Sequence, residues 1–278
     1  MKIPEDQQKK ILTDLGFIVK GDQAHVPAWR PDVLGDADLV EEIARVASLA
    51  NLKGVPLPKK DVGISKPVLN ISQKREQIAR RSIAALGYNE CVSYSFIDVR
   101  SAQLFGGGTE ATQLQNPIST DMSHMRPDLL PGLLKAASRN QARGFSDIAL
   151  FEVGPVFGGG EPSDQDFQIS GLLVGQITKK NVHSKTRNID IFDVKADVEA
   201  TLAALGAPKK VKISRGGDSW WHPGRHGRIC LGPKTVLAVF GEIHPKVLKE
   251  IDVRGPAVAF TIWPNSIPIP RNKKSTRS

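Results

Sequence analysis

The 278-residue chain has 40% hydrophobic and 24% charged residues, enough to bury a sizeable core in one large domain or two smaller ones. Its 38 basic against 29 acidic residues leave a net charge of +9, which favours polyanionic partners such as nucleic acid without identifying one. There is no apolar run of membrane-spanning length, the start MKIPEDQQKK lacks the apolar stretch of a signal peptide, and Cys91 and Cys230 are too few and too far apart for a disulfide scaffold or a cysteine metal site. A soluble, cytoplasmic protein with no membrane partner is expected.

In chain order, PEDQQKKILTDLGF predicts a helix, with Pro4 in its first turn, Ile11 and Leu15 on one face and Gly16 as its stop. FIVKGDQAHVPA predicts two short strands about a Gly21-Asp22 turn. A second helix follows, with Leu39, Ile43, Val46 and Ala50 as its apolar stripe. The proline- and glycine-rich stretch 51–67 is the best candidate linker. Beyond it, ISQKREQIARRSIAALG reads as a helix with Ser72 as N-cap and Gly87 as stop, and CVSYSFI (91–97) as a strand. Further strands are expected near 112–115, 147–157, 168–175, 227–231, 235–241 and 257–262, and helices near 127–143, 193–205 and 244–250. Runs of strands with short connections predict an α+β fold: a small helix-hairpin-helix domain, then an antiparallel sheet flanked by helices.

Chemistry-bearing residues are few. Asp32, Asp36, Asp38, Glu41 and Glu42 fall within eleven positions of a basic chain. A helix starting near Asp36 sets Asp38, Glu41 and Glu42 at i, i+3 and i+4, one face within a turn, and Asp32 lies just upstream. Two bare carboxylates about 4 Å apart repel by about 4 kcal/mol near a protein surface, so convergence of four demands a cation, and all-oxygen ligands point to magnesium or calcium. The competing reading is a helix start whose acids suit the helix dipole, with Arg45 as partner of Glu41 and Glu42. The glycine-rich LFGGGTE and FGGGEP lack the Lys and Ser/Thr of a phosphate-binding loop and read as turns. WWHPGRHGR (220–228) reads as a loop shaped by Pro223 and Gly224, and the basic runs 179–187, 209–215 and 271–278 as solvated faces.

Several stretches together resemble the beta subunit of bacterial phenylalanine-tRNA ligase. VPAWRPDVLGDADLVEEIARV is similar to that subunit's small central domain; LQNPISTDMSHMRPDLLPGLLKAASRNQARGFSDIALFEVGPVF, FDVKADVEATLAALG, WWHPGRHGRICLG and LAVFGEIHPKVLKEIDV follow the order of its catalytic-like module. The resemblance implies a class II synthetase-like core and four domains of sequence: 1–56 a small magnesium-binding domain, 57–66 a linker, 67–265 the catalytic-like module and 266–278 a basic tail. It implies magnesium on Asp32, Asp38, Glu41 and Glu42, leaving Asp36 as N-cap. It also implies a non-catalytic subunit that supports ATP-dependent attachment of phenylalanine to its tRNA by an alpha subunit, in a tetramer of two alpha and two beta chains. IALFEVGPVF, at the family's motif 2 strand, has no arginine to hold ATP phosphate, in keeping with that role. The chain starts inside the family's small domain and stops where a last domain would begin, so editing and anticodon contacts cannot be assigned to it. A stand-alone basic RNA-binding module and an inactive remnant are the alternatives.

Overall fold

The computed structural model describes residues 2–58, 68–177, 182 and 185–269. The expected linker 57–66, the basic run 179–187 and the tail 266–278 lie largely outside the described residues. The chain divides into two compact units, Met1–Lys66 and Pro67–Ser278.

In the first unit, α1 (Glu5–Asp14) leads into the hairpin of β1 (Ile18–Lys20) and β2 (Gln23–His25), and α2 (Asp36–Val46) closes over it. Ile11, Leu12, Phe17, Val33 and Ile43 form its buried core. Gly16, at φ +91°, lets the chain leave α1 in the left-handed region and leaves room for the Trp29 ring.

The second unit is built on one large sheet. Its elements are α3 (Ile71–Ala85), β3 (Asn89–Glu90), β4 (Phe96–Ile97), α4 (Val99–Leu104), β5 (His124–Met125), α5 (Leu130–Ala142), β6 (Ile148–Phe157), β7 (Gln165–Val174), α6 (Ile191–Ala204), β8 (Lys212–Ser214), β9 (Trp221–Leu231), β10 (Thr235–Ile243), α7 (Pro245–Glu250) and β11 (Ala257–Ile262). Seven strands pair in the order β3-β6-β7-β11-β10-β9-β8, all antiparallel except the short parallel pair of β3 with β6. β4 and β5 form a separate two-stranded ladder. The α+β reading is therefore correct.

Alternation along the strands gives the sheet two apolar faces. On one, Phe151, Val153, Ile169, Val258 and Phe260 meet Ala79 and Ile83 of α3 and Val194, Val198 and Leu202 of α6. On the other, Ile148, Leu150, Leu172, Val174 and Ala259 meet Leu130, Leu133 and Leu134 of α5 and Val247 and Leu248 of α7. All of β11 is buried, as befits a strand deep inside a sheet covered on both faces. Gly171 of β7 pairs with Phe260 of β11, and the Phe260 ring fills the space in which a Cβ on Gly171 would stand.

Several expectations need correction. CVSYSFI does not form one strand: Cys91 N still donates to Phe151 O, but Ser93 N turns to the Glu152 carboxylate, and the ladder with β6 ends there. Residues 112–115 form no strand; a single helical turn and an isolated Gln113–His124 bridge replace it. The loop expected at 220–228 is mostly strand, because Pro223 and Gly224 fall in a bulge between the pairs Trp221–Ile243 and His226–Gly241, where a missing amide costs no ladder bond. The N-cap of α3 is Asn70, not Ser72: Asn70 Oδ1 accepts from Gln73 N, and Gln73 returns the bond to Asn70 N.

Candidate functional site

The acid-rich stretch is organised around an arginine. Arg30 reaches Asp32 through Nε at 2.9 Å and Nη2 at 2.6 Å, and spans to Glu42 through Nη1 at 3.1 Å and Nη2 at 3.0 Å. Arg45 Nη2 adds a bond of 2.7 Å to Glu42 from one turn further along α2. The buried Glu42 carboxylate is thereby held down to about 2 by hydrogen bonds from Arg30 and then Arg45. Asp32 is lowered chiefly by its bond to Arg30, and Arg30 is itself raised by Asp32 and Glu42.

Asp38 faces the backbone. Its Oδ2 accepts from Leu34 N at 2.8 Å and Gly35 N at 2.9 Å, closing the loop onto the start of α2. The residue at the N-cap position is Gly35, so Asp36, expected as the cap, is the first helical residue and Asp38 does the capping work from the third. Glu41 is exposed on the helix surface.

In this arrangement the carboxylates of Asp32, Asp38 and Glu42 are engaged by donors of the protein itself. A guanidinium lies between Asp32 and Glu42, both oxygens of Glu42 are taken, and Asp38 is committed to amides. Among the described residues no group of three or more His, Cys, Asp or Glu side chains is placed to hold a metal. The internal cation is Arg30, in the WRPD segment, which charge spacing alone did not single out.

The second unit carries a polar site that sequence reasoning missed. Where the α5 side of the sheet stops being apolar, Glu152 of β6 follows Ile148 and Leu150 on the same face and meets Arg126. The Arg126 Nη1 to Glu152 Oε1 bond is 2.7 Å and both side chains are 4% exposed. Ser93 Oγ donates to Glu152 Oε2 at 2.6 Å and receives Arg126 Nη1 at 3.0 Å, while Arg126 Nε donates to Pro155 O at 2.9 Å. Glycines make the space: a Cβ on Gly154 would stand 2.8 Å from Arg126 Nη2, and one on Gly132 2.6 Å from Ser93 Oγ.

Beside it, fully buried Asp128 accepts from Leu130 N at 2.8 Å, and the Gln168 amide bridges Asp128 Oδ2 at 3.2 Å and Trp263 Nε1 at 3.3 Å. Burial pushes the Asp128 carboxyl up to about 6 against the opposing pull of the Leu130 amide and Gln168. These groups are chemically satisfied by one another, which suits a scaffold more than a reaction centre.

Residues 57–263 match the family model described as phenylalanyl tRNA synthetase beta chain CLM domain. The chain belongs to this family. Residues 1–48 match a second model, the tRNA synthetase B5 domain. Similar proteins are the phenylalanine–tRNA ligase beta subunits of Ruegeria pomeroyi, 65% identical over 278 residues, and of Cereibacter sphaeroides, 60% identical over 277 residues. Both alignments take in 100% of this chain but 35% and 34% of the relatives, so the chain spans about a third of the length of the curated proteins it matches. Among solved structures, PylSc, a pyrrolysyl tRNA synthetase of Desulfitobacterium hafniense, superposes with a TM-score of 0.52 at 13% identity, over 95% of this chain and 86% of that one. At that identity the likeness concerns the fold alone, a class II synthetase-like arrangement. No described helix is long and apolar enough to cross a membrane.

Proposed function

We propose that the chain is the non-catalytic beta component, or a part of it, of a cytoplasmic phenylalanine-tRNA ligase, supporting ATP-dependent attachment of phenylalanine to tRNA by an alpha subunit. The observation that carries the reading is 65% identity along the whole chain to a protein named as that beta subunit. The chemistry on the sheet is consistent with it. A class II core that activates an amino acid needs an arginine on the strand equivalent to β6; IALFEVGPVF has none, and its one carboxylate is closed off by Arg126 and Ser93.

In this reading residues 1–56 are the small domain, 57–66 the linker, 67–265 the catalytic-like module and 266–278 a basic tail. The partners are a phenylalanine-specific alpha subunit, in a tetramer of two alpha and two beta chains, and tRNA. Magnesium is assigned to Asp32, Asp38, Glu41 and Glu42 on condition that Arg30 releases Asp32 and Glu42. Co-expression with a phenylalanine-specific alpha subunit tests the main reading: the two chains should co-purify, and phenylalanine-dependent charging should require both. A chain that ignores the alpha subunit at micromolar concentration overturns it.

A further inference from the structure

The seven-stranded sheet ends in a basic edge. Among the described residues β8 pairs with β9 alone, through Lys212–Cys230, Ile213–Ile229 and Ser214–Arg228, and no described strand pairs with its other side. Lys209, Lys210, Lys212 and Arg215 lie in or beside this strand and are exposed. At about 3.3 Å per extended residue the run covers on the order of 20 Å. Lysines on an edge strand also discourage edge-to-edge pairing, so this run alone decides nothing.

The deciding feature lies on the face of the sheet rather than at its edge. Ser214 and Arg228 are cross-strand partners and Arg228 in turn pairs with Val239, so the three side chains share one face. A cavity of about 580 Å³ opens there, with Arg228, Lys234, Trp263, Gly216 and Asp218 in its wall. Arg228 Nε donates to Ser214 Oγ at 2.9 Å, which fixes the guanidinium. Gly216, at φ +124°, lets the loop backbone lie against it: a Cβ there would stand 3.1 Å from Arg228 Cζ.

Elsewhere among the described residues of this unit Arg80, Arg100, Arg126, Lys135, Arg187, Lys195 and Arg225 meet acids, whereas Lys74, Arg81, Arg139, Arg143, Lys246, Lys249 and Arg254 do not, so it is the gathering of cations along β8 and around one cavity, not the lack of ion pairs by itself, that marks this surface. Among the described residues no carboxylate lies within 4 Å of Lys209, Lys210, Lys212, Arg215, Arg228 or Lys234. Six uncompensated cations, two of them set in a concave wall, call for a ligand with several negative charges spread over more than one phosphate. We propose that the β8 edge and the Arg228–Lys234 pocket form a binding surface for the phosphate backbone of RNA. The inference deepens the family reading and rests on it for the choice of tRNA as probe.

The test is fluorescence anisotropy of labelled tRNA titrated with the 278-residue chain across a salt series. Each phosphate neutralised contributes about 0.7 to 0.9 to the slope of log affinity against log salt. The variant Lys210→Glu/Lys212→Glu/Lys234→Glu, all at exposed positions, should bind at least about tenfold more weakly with a slope shallower by about two to three. Arg228→Gln should weaken binding through the pocket alone, and Lys246→Glu/Lys249→Glu on α7 should bind as the parent chain does. Absence of tRNA binding by the parent chain overturns the proposal, as do a triple variant with parental affinity and slope, or equal losses in the α7 variant. A chain that still co-purifies with the alpha subunit while the triple variant binds tRNA normally overturns this inference and leaves the family reading standing.

Discussion

Arg126 and Glu152 face each other across 2.7 Å with neither side chain more than 4% exposed, bridging the segment after β5 to the middle of β6. Such a pair is a weak source of net stability but a severe liability when halved, because the survivor is a buried, unpaired charge. Glu152→Leu or Arg126→Met alone should therefore cost about 3 to 5 kcal/mol in urea unfolding, whereas the double replacement should recover much of that loss. Additive losses in the double variant would show that the pair is not coupled.

Arg30 fills the role of the cation among the acids of α2. If magnesium replaces it, removing the guanidinium should expose the requirement. In Arg30→Gln, millimolar magnesium should raise the melting temperature more than in the parent chain, and adding Glu41→Gln/Glu42→Gln should abolish the gain. Equal shifts in all three proteins would exclude these carboxylates as the metal set.

Asp128 gives a pH signature opposite to the usual carboxylate. Burial raises its folded pKa to about 6, above the ordinary carboxylate range, so the native state holds the proton more tightly than the unfolded chain does. Its favourable contribution is complete below about pH 4 and is lost as pH rises to about 6, an effect on the order of 3 kcal/mol. Glu42 and Asp98, both held at about 2, act the other way and only below about pH 4.5; for Asp98, bonds from Lys135 and Ser101 outweigh burial. Subtracting the Asp128→Asn stability profile from the parental one isolates the contribution of this carboxyl. A flat difference between pH 4 and 6 would contradict the assignment.

At the start of α3 the cap is a reciprocal pair, Asn70 with Gln73. Asn70→Ala should lower stability by about 1 kcal/mol, and Ser72→Ala, at an exposed position inside the first turn, should change it by less than about 0.5 kcal/mol. Thermal unfolding of the two variants side by side distinguishes the caps.

Much of the architecture was legible because its signals are periodic. The apolar runs of β6 and β11 and the helix of residues 191–204 declare themselves by spacing, whereas the stripe expected on α2 holds only in part: Ile43 is buried, but Val46 is exposed and Ala50 lies beyond the helix end. The first half of β9 did not, since Pro223, Gly224 and Gly227 imitate a loop and only pairing with β10 reveals the bulge that accommodates them. The candidate sites were less legible still. The acids of residues 32–42 stand out as a composition anomaly, yet nothing local says that Arg30 folds back across twelve residues to Glu42. Likewise Ser93, Arg126 and Glu152 come from three separate segments, and their convergence is a property of the sheet rather than of any motif.

The Phe260 ring lying over Gly171 ties two positions far apart in sequence into a single choice. A larger residue at 171 has no room unless 260 shrinks, and a smaller residue at 260 leaves a void unless 171 grows. Each substitution alone is a step down, so the route from one packing to the other crosses a less stable intermediate. A chain drifting under selection would keep both residues or exchange both, and Gly171→Ala with Phe260→Leu should be better tolerated together than either is alone.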